Sequence, residues 1–144
     1  MSAGAGVTHS EYNPSTRDPM RFLQVWLLPV HSGLKPRYDT LMLDPEELEG
    51  KLKLFLSPDG RGGSLMSAAP ANVYAAKLNQ NQQIKTQLAP HQKSWVQVVE
   101  GALSVNGVRL TQGDGLSIST GGEVSFTQAE SAHLLYFELF DLPS

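Results

Sequence analysis

The segment Ala102 to Thr111 reads ALSV-NG-VRLT, and it limits the fold more tightly than any other part of the 144 residues. Asn-Gly between two alternating runs favours a type I′ turn, because both central positions need positive φ. A turn at Asn106-Gly107 pairs Val105 with Val108 and Leu103 with Leu110 on one face, and Ser104 with Arg109 on the other. Register and hydrophobic face agree, so a hairpin is predicted. Similar punctuation recurs along the chain. Lys53 to Ser57 is closed by Pro58-Asp59-Gly60, and Val73 to Leu78 by a polar Asn/Gln stretch. Leu116 and Ile118 alternate with Ser117 and Ser119; beyond Gly121-Gly122, Val124 and Phe126 alternate with Ser125 and Thr127. His133 to Phe140 (HLLYFELF) is apolar at nearly every position, as a central strand would be. Many short strands between Gly and Pro turns predict an all-β sandwich or small barrel.

Composition removes several function classes. The chain has no cysteine, which excludes disulfides, thiolate chemistry and Cys-type zinc sites and leaves His, Asp and Glu as metal ligands. Its net charge is −3 with 11 basic residues scattered singly, unlike the footprint of a nucleic-acid binder. No apolar run is long enough to cross a membrane, and Met1 to Ser10 lacks the layout of a signal peptide. The expectation is a soluble, cytoplasmic protein that contacts neither nucleic acid nor membrane.

The first fifty residues read differently. Val7 to Tyr12 is extended and stopped by Asn13-Pro14-Ser15. Met20 to Leu28 (MRFLQVWLL), closed by Pro29, is predicted to be a strand buried on both faces. A connector follows, in which Arg37 to Leu43 is compatible with an extended segment. Asp44-Pro45-Glu46-Glu47-Leu48-Glu49-Gly50 has an N-cap, a first-position Pro, acids in the first turn and a Gly stop, so one helical turn is expected. Its carboxylates suit a solvated, dipole-matched turn better than an acidic site. Trp26, Trp95, Phe22, Phe126 and Phe137 are expected in the core, although aromatics of this kind can also line a ligand pocket.

Two residue types on the first segment carry chemistry. On a strand, positions i and i+2 project from one face, so His9 and Glu11 can point at one ion. Imidazole plus carboxylate suits non-haem iron or a similar divalent metal. The competing reading is an exposed His and Glu on a frayed terminal strand. No Gly-x-Ser-x-Gly nucleophile elbow and no dinucleotide fingerprint is present.

Trp95 to Gly115 (WVQVVEGALSVNGVRLTQGDG) resembles the core of a cupin barrel. In order, VTHSEYNPS, FLQVWLLP, GLKPRYDT and LFLSPDGRGGS resemble the pirin family, which includes bacterial quercetin 2,3-dioxygenase-like proteins built as two fused cupins. The resemblance covers the whole chain and implies a cupin jelly-roll β-barrel with an extended N-terminal arm. It implies residues 1–29 as the closing strands of an amino-terminal cupin, 30–51 as the inter-barrel connector and 52–144 as the carboxy-terminal barrel. Met1 then corresponds to a position inside a strand, so the chain looks like a short reading frame or a fragment of a bicupin.

The same resemblance implies that His9 and Glu11 supply half of the protein ligands to iron or another divalent metal, with Glu11 also taking the flavonol proton. The other half, an earlier His-x-His, is not in this sequence. The cupin ligand positions of the second barrel hold Gln87, Ala89, Ser94 and Val124, which implies a metal-free barrel; His91, displaced from the pattern, His31 and His133 read as surface histidines. The expected function is therefore pirin-like or quercetin 2,3-dioxygenase-like, with this chain inactive alone and binding no stoichiometric metal. The alternative is a non-catalytic cupin module for protein–protein interaction or regulation. Met20 to Leu28 would be left without its family partners, which suggests a homodimer through the N-terminal arm.

Overall fold

The structure is a computed structural model that describes residues 1–141. Helix α1 (Pro45–Leu48) precedes β1 (Lys53–Ser57), β2 (Leu65–Met66), β3 (Ala71–Leu78) and β4 (Ile84–Leu88). There follow β5 (Lys93–Val105), β6 (Val108–Thr111), β7 (Gly115–Ile118) and β8 (Gly122–Leu139). The strands form one curled sheet in the order β2-β1-β3-β8-β5-β6, with β4 also on β8 and β7 also on β5. The all-β class and the extended N-terminal arm match the expectation. The last three residues of the expected 52–144 barrel lie outside the described residues. No described helix is long and apolar enough to cross a membrane.

The Asn-Gly hairpin forms in the predicted register, Val105 opposite Val108 and Leu103 opposite Leu110. Asn106 and Gly107 take φ of 47° and 81°, as the turn requires. Asn106 also locks the tip to β8, its N–H donating to Ser125 O at 3.0 Å and its Oδ1 accepting from Ser125 N at 2.8 Å. The two faces are less distinct than the alternation implies. Val108 is exposed, whereas Ser104 is buried and donates to Gln128 Oε1 at 2.8 Å, because β8 covers this side of β5.

Strand β8 organises the barrel. It pairs with β5 along its length, and its other edge pairs first with β4 and then with β3. The two strands expected around Val124 and His133 are thus one. Gln128 and Ser131, both at positive φ, bend it without breaking it, and the register against β5 shifts at these bulges. Gly101 faces them at φ 69°, where a Cβ would strike the carbonyl oxygens of Glu130 and Ser131. The core inside the curl is built from Val96, Leu103, Val105, Phe126, Leu134 and Tyr136, with the Phe126 and Tyr136 rings edge to face at 5.6 Å. Strand β4 (IKTQL) was hidden in sequence by its polar residues; only Ile84 and Leu88 are buried. Asp44 caps α1 through Glu46 N at 3.0 Å, and Leu48 is buried, as the turn signature predicted.

The arm departs from expectation. Met20 to Leu28 is neither a strand nor buried: Phe22 is 59% exposed and Trp26 and Leu28 are each 84% exposed. Among the described residues, no backbone–backbone hydrogen bond involves positions 7–29, and Val7 to Tyr12 is likewise unpaired. Extended conformation becomes a strand only beside another strand edge, and none lies next to this segment. Arg37 to Leu43 contributes a single bridge, Arg37 to Ser2. The aromatics divide accordingly. Phe126 is in the barrel core and Phe137 is buried on the opposite face of β8, whereas Phe22, Trp26 and Trp95 are exposed, correcting the expectation for those three.

The arm nevertheless rests on the barrel. Leu23 to Leu27 lie over Trp95, Leu135, Phe137 and Leu139 on the outer face of β5 and β8, enclosing a groove of ≈ 460 Å³. Arg21 reaches Glu100 at 3.5 Å, and Val30 N donates to Ala68 O at 3.0 Å.

Candidate functional site

His9 and Glu11 come together as the i, i+2 spacing suggests, with Nε2 3.6 Å from Oε1. They do so on an extended segment outside the sheet, with side chains 41% and 47% exposed. The segment ends in a compact turn, where Asn13 Nδ2 donates to Asp18 O at 2.7 Å and Asp18 N donates to Ser15 Oγ at 2.9 Å. This turn is why the run stops at Asn13-Pro14-Ser15. Among the described residues, no group of three or more His, Asp or Glu side chains is placed to hold a metal. An open-site oxygenase centre needs at least a facial triad of ligands, so His9 and Glu11 alone do not fit a complete centre.

The barrel positions fall into two sets. Gln87 and Ala89 are exposed at the end of β4, while Ser94 and Val124 are buried. His91 sits exposed in the β4–β5 turn at φ 67°, and His31 lies exposed in the connector. His133 does not open a strand as expected. It is half-buried midway along β8, between Lys77 and Glu100. Burial pushes its pKa below the ordinary histidine value and Lys77 adds to this, with Glu100 opposing.

Sequence reasoning missed a polar cluster at one end of the barrel interior. Glu138 on β8 lies between Asn72 of β3 and Ser94 of β5, and Glu138 Oε2 accepts from Asn72 Nδ2 at 2.8 Å and from Tyr74 OH at 2.9 Å. Burial and then the Glu138 carboxylate push the Tyr74 phenol up to about 12. Burial also raises the Tyr136 phenol. A lone carboxylate in HLLYFELF and a lone amide in ANVYAAKL were the available signals, since a polar residue in a buried run needs a partner. At the other end of the barrel, Gln80, Gln82, Gln83, Gln128 and Glu130 line an open groove of ≈ 520 Å³.

Residues 54–139 match the family model of the quercetinase C-terminal cupin domain. The quercetin 2,3-dioxygenase of Escherichia coli K12 is 38% identical over 143 residues, covering 99% of this chain and 59% of its own length. A putative quercetin 2,3-dioxygenase of Pasteurella multocida is 34% identical, covering 96% of this chain and again 59% of its own length. The chain thus spans about three-fifths of the curated relatives it matches. Among solved structures, YhhW of Escherichia coli superposes with a TM-score of 0.75 at 31% identity over 83% of this chain and 50% of that one. A nickel(II) complex of the same bacterial pirin gives 0.71 at 32% identity, over 77% and 47%. The cupin jelly-roll expected from sequence is therefore the fold, and the chain belongs to the pirin-type quercetinase family through its C-terminal cupin domain.

Proposed function

We propose that this chain is a quercetin 2,3-dioxygenase-like pirin polypeptide carrying half of a metal centre, His9 and Glu11, on an arm beside a metal-free barrel. The approach of Nε2 to Oε1 within 3.6 Å carries the reading: an imidazole and a carboxylate lie side by side, as two ligands of one divalent metal would. Of the named relatives, that of Escherichia coli K12 is a quercetin 2,3-dioxygenase, and one solved relative is a nickel(II) complex. Iron, nickel or a similar ion held here would supply Lewis acidity toward a flavonol and dioxygen, with Glu11 the proton acceptor that the family resemblance implies. Two protein donors leave that centre incomplete, so the chain alone is inactive and holds no stoichiometric metal. The test is oxygen uptake with quercetin and added ferrous or nickel ion. No turnover is expected; turnover abolished by Glu11→Gln would overturn the inactivity and show that further ligands are recruited.

A second reading, a non-catalytic module for protein–protein contact, is supported by the unpaired apolar segment Met20 to Leu28. An apolar segment with free backbone on both edges pairs readily with another strand, and two-fold pairing is the commonest closure for identical chains. A cytoplasmic homodimer through this arm follows, testable by light scattering on the full chain; a monomer at high concentration refutes it.

A further inference from the structure

We propose that Asn72, Ser94, Tyr136 and Glu138 form a binding site for a single alkali-metal cation inside the barrel. Three independent features converge there. The first is placement. Asn72 and Ser94 stand directly across from Glu138 on its two neighbouring strands, and Tyr136 lies two residues before Glu138 on the same inward face. Residues of β8 and its neighbours paired in this way bring their side chains together on one side of the sheet.

The second is unmet hydrogen-bonding capacity. Asn72 Oδ1, Ser94 Oγ and the Tyr136 hydroxyl are fully shielded from solvent and have no hydrogen-bond partner, in residues only 3%, 1% and 0% exposed. Most buried polar groups in folded proteins find partners, and one left alone bears the full cost of its desolvation. Three such atoms, on residues paired with Glu138 or two positions from it, share that need. Asn72 turns its amide so that Nδ2 serves Glu138, which leaves only lone pairs on Oδ1. The Ser94 hydroxyl stands near the Tyr136 phenol and the Glu138 charge acts on the same group, but the Ser94–Tyr136 approach is too poorly formed a hydrogen bond to satisfy either hydroxyl.

The third is charge and donor type. Every available donor is oxygen, which selects a hard cation over the nickel-type ion favoured by imidazole. Glu138 is the one carboxylate of the set. The nearby guanidinium, Arg61 beside Tyr74, is held by Asp59 at 2.9 Å. A single positive charge balances Glu138; a divalent ion would leave one charge buried and uncompensated. The site stands apart from the His9 and Glu11 pair, which lies on the arm.

Thermal unfolding of the full chain tests it, in potassium, sodium or choline chloride at one fixed ionic strength. The midpoint should rise by about 4 °C once potassium or sodium exceeds its dissociation constant tenfold, and choline should give no rise. Tyr136→Phe and Ser94→Ala, which remove a hydroxyl and keep most of the packing, should flatten the ion dependence. Should either variant unfold, crystals soaked in rubidium provide a direct reading, with an anomalous peak expected between Asn72 and Ser94. Equal midpoints in all three salts, a response to calcium or magnesium alone, or an unchanged ion response in both variants would overturn the proposal.

Discussion

Two segments of similar apolar content meet opposite fates. MRFLQVWLL at 20–28 lies on the surface, whereas HLLYFELF at 133–140 runs through the middle of the sheet. The second segment is flanked by β3 and β5 on both edges, so its N–H and C=O groups are spent on neighbours and both faces are covered. The first has no strand beside either edge and rests on the barrel by side-chain contact alone, through Leu23 to Leu27. Apolar composition therefore says that a segment seeks cover. Available strand edges decide whether it becomes a strand.

The sharpest test of that contrast is truncation at matched large residues. Phe126→Ala should destabilise the fold by about 3–5 kcal/mol in chemical denaturation, as expected for a fully buried ring. Trp26→Ala should stay within about 0.5 kcal/mol, because the indole is already solvated. Comparable losses would mean that the arm is part of the cooperative unit.

A smaller effect is expected where the two regions meet. A Cβ at Gly115 would collide with the Trp95 indole that floors the arm's groove. Gly115→Ala should cost about 1–3 kcal/mol from overpacking and shift tryptophan emission as the indole is displaced. Unchanged emission would show that the indole does not govern the groove. Brief trypsin treatment separates the regions without mutation. Arg17 and Arg21 should be cut while Lys93 and Arg109, held in β5 and β6, remain intact. Simultaneous cleavage of all four would erase the distinction.

The smallest expected effect is a pH dependence at His133. Its folded-state pKa lies below the unfolded value of 6.5, so on acidification the unfolded chain takes up the proton first. The stabilisation is complete above the unfolded value and is lost as pH falls through the lowered folded one. His133→Gln should remove that part of the acid destabilisation, seen as a smaller drop in melting midpoint between about pH 7 and pH 5. An identical drop in both proteins would assign the acid response elsewhere.

The parts legible in sequence were those written in local chemistry. Asn106-Gly107 specified its turn and register, and Asp44-Pro45 specified its cap, because each depends on neighbours in the chain. Strand β4 escaped notice because Thr86 and Gln87 obscure an alternation that only two buried residues define. The joining of two expected strands into β8 depends on bulges at Gln128 and Ser131, whose positive φ is imposed by pairing with β5. Of the candidate site, the approach of His9 to Glu11 could be read from an i, i+2 spacing. The cluster around Glu138 could not, because Asn72, Ser94 and Glu138 meet only through strand order.

The position of β8 also sets an order of events during synthesis. It is the last of the described barrel strands in chain order, yet β3, β4 and β5 all pair with it. Pairings such as Ala71 with Leu139 span nearly half the chain, so the barrel cannot close until its final strand has left the ribosome. The Asn-Gly hairpin needs no such wait and can form on the microsecond scale. Until β8 arrives, β3 and β5 each present an uncovered edge, and such long-range closure makes folding slow. The nascent barrel thus passes through a period of greatest aggregation risk just before β8 emerges.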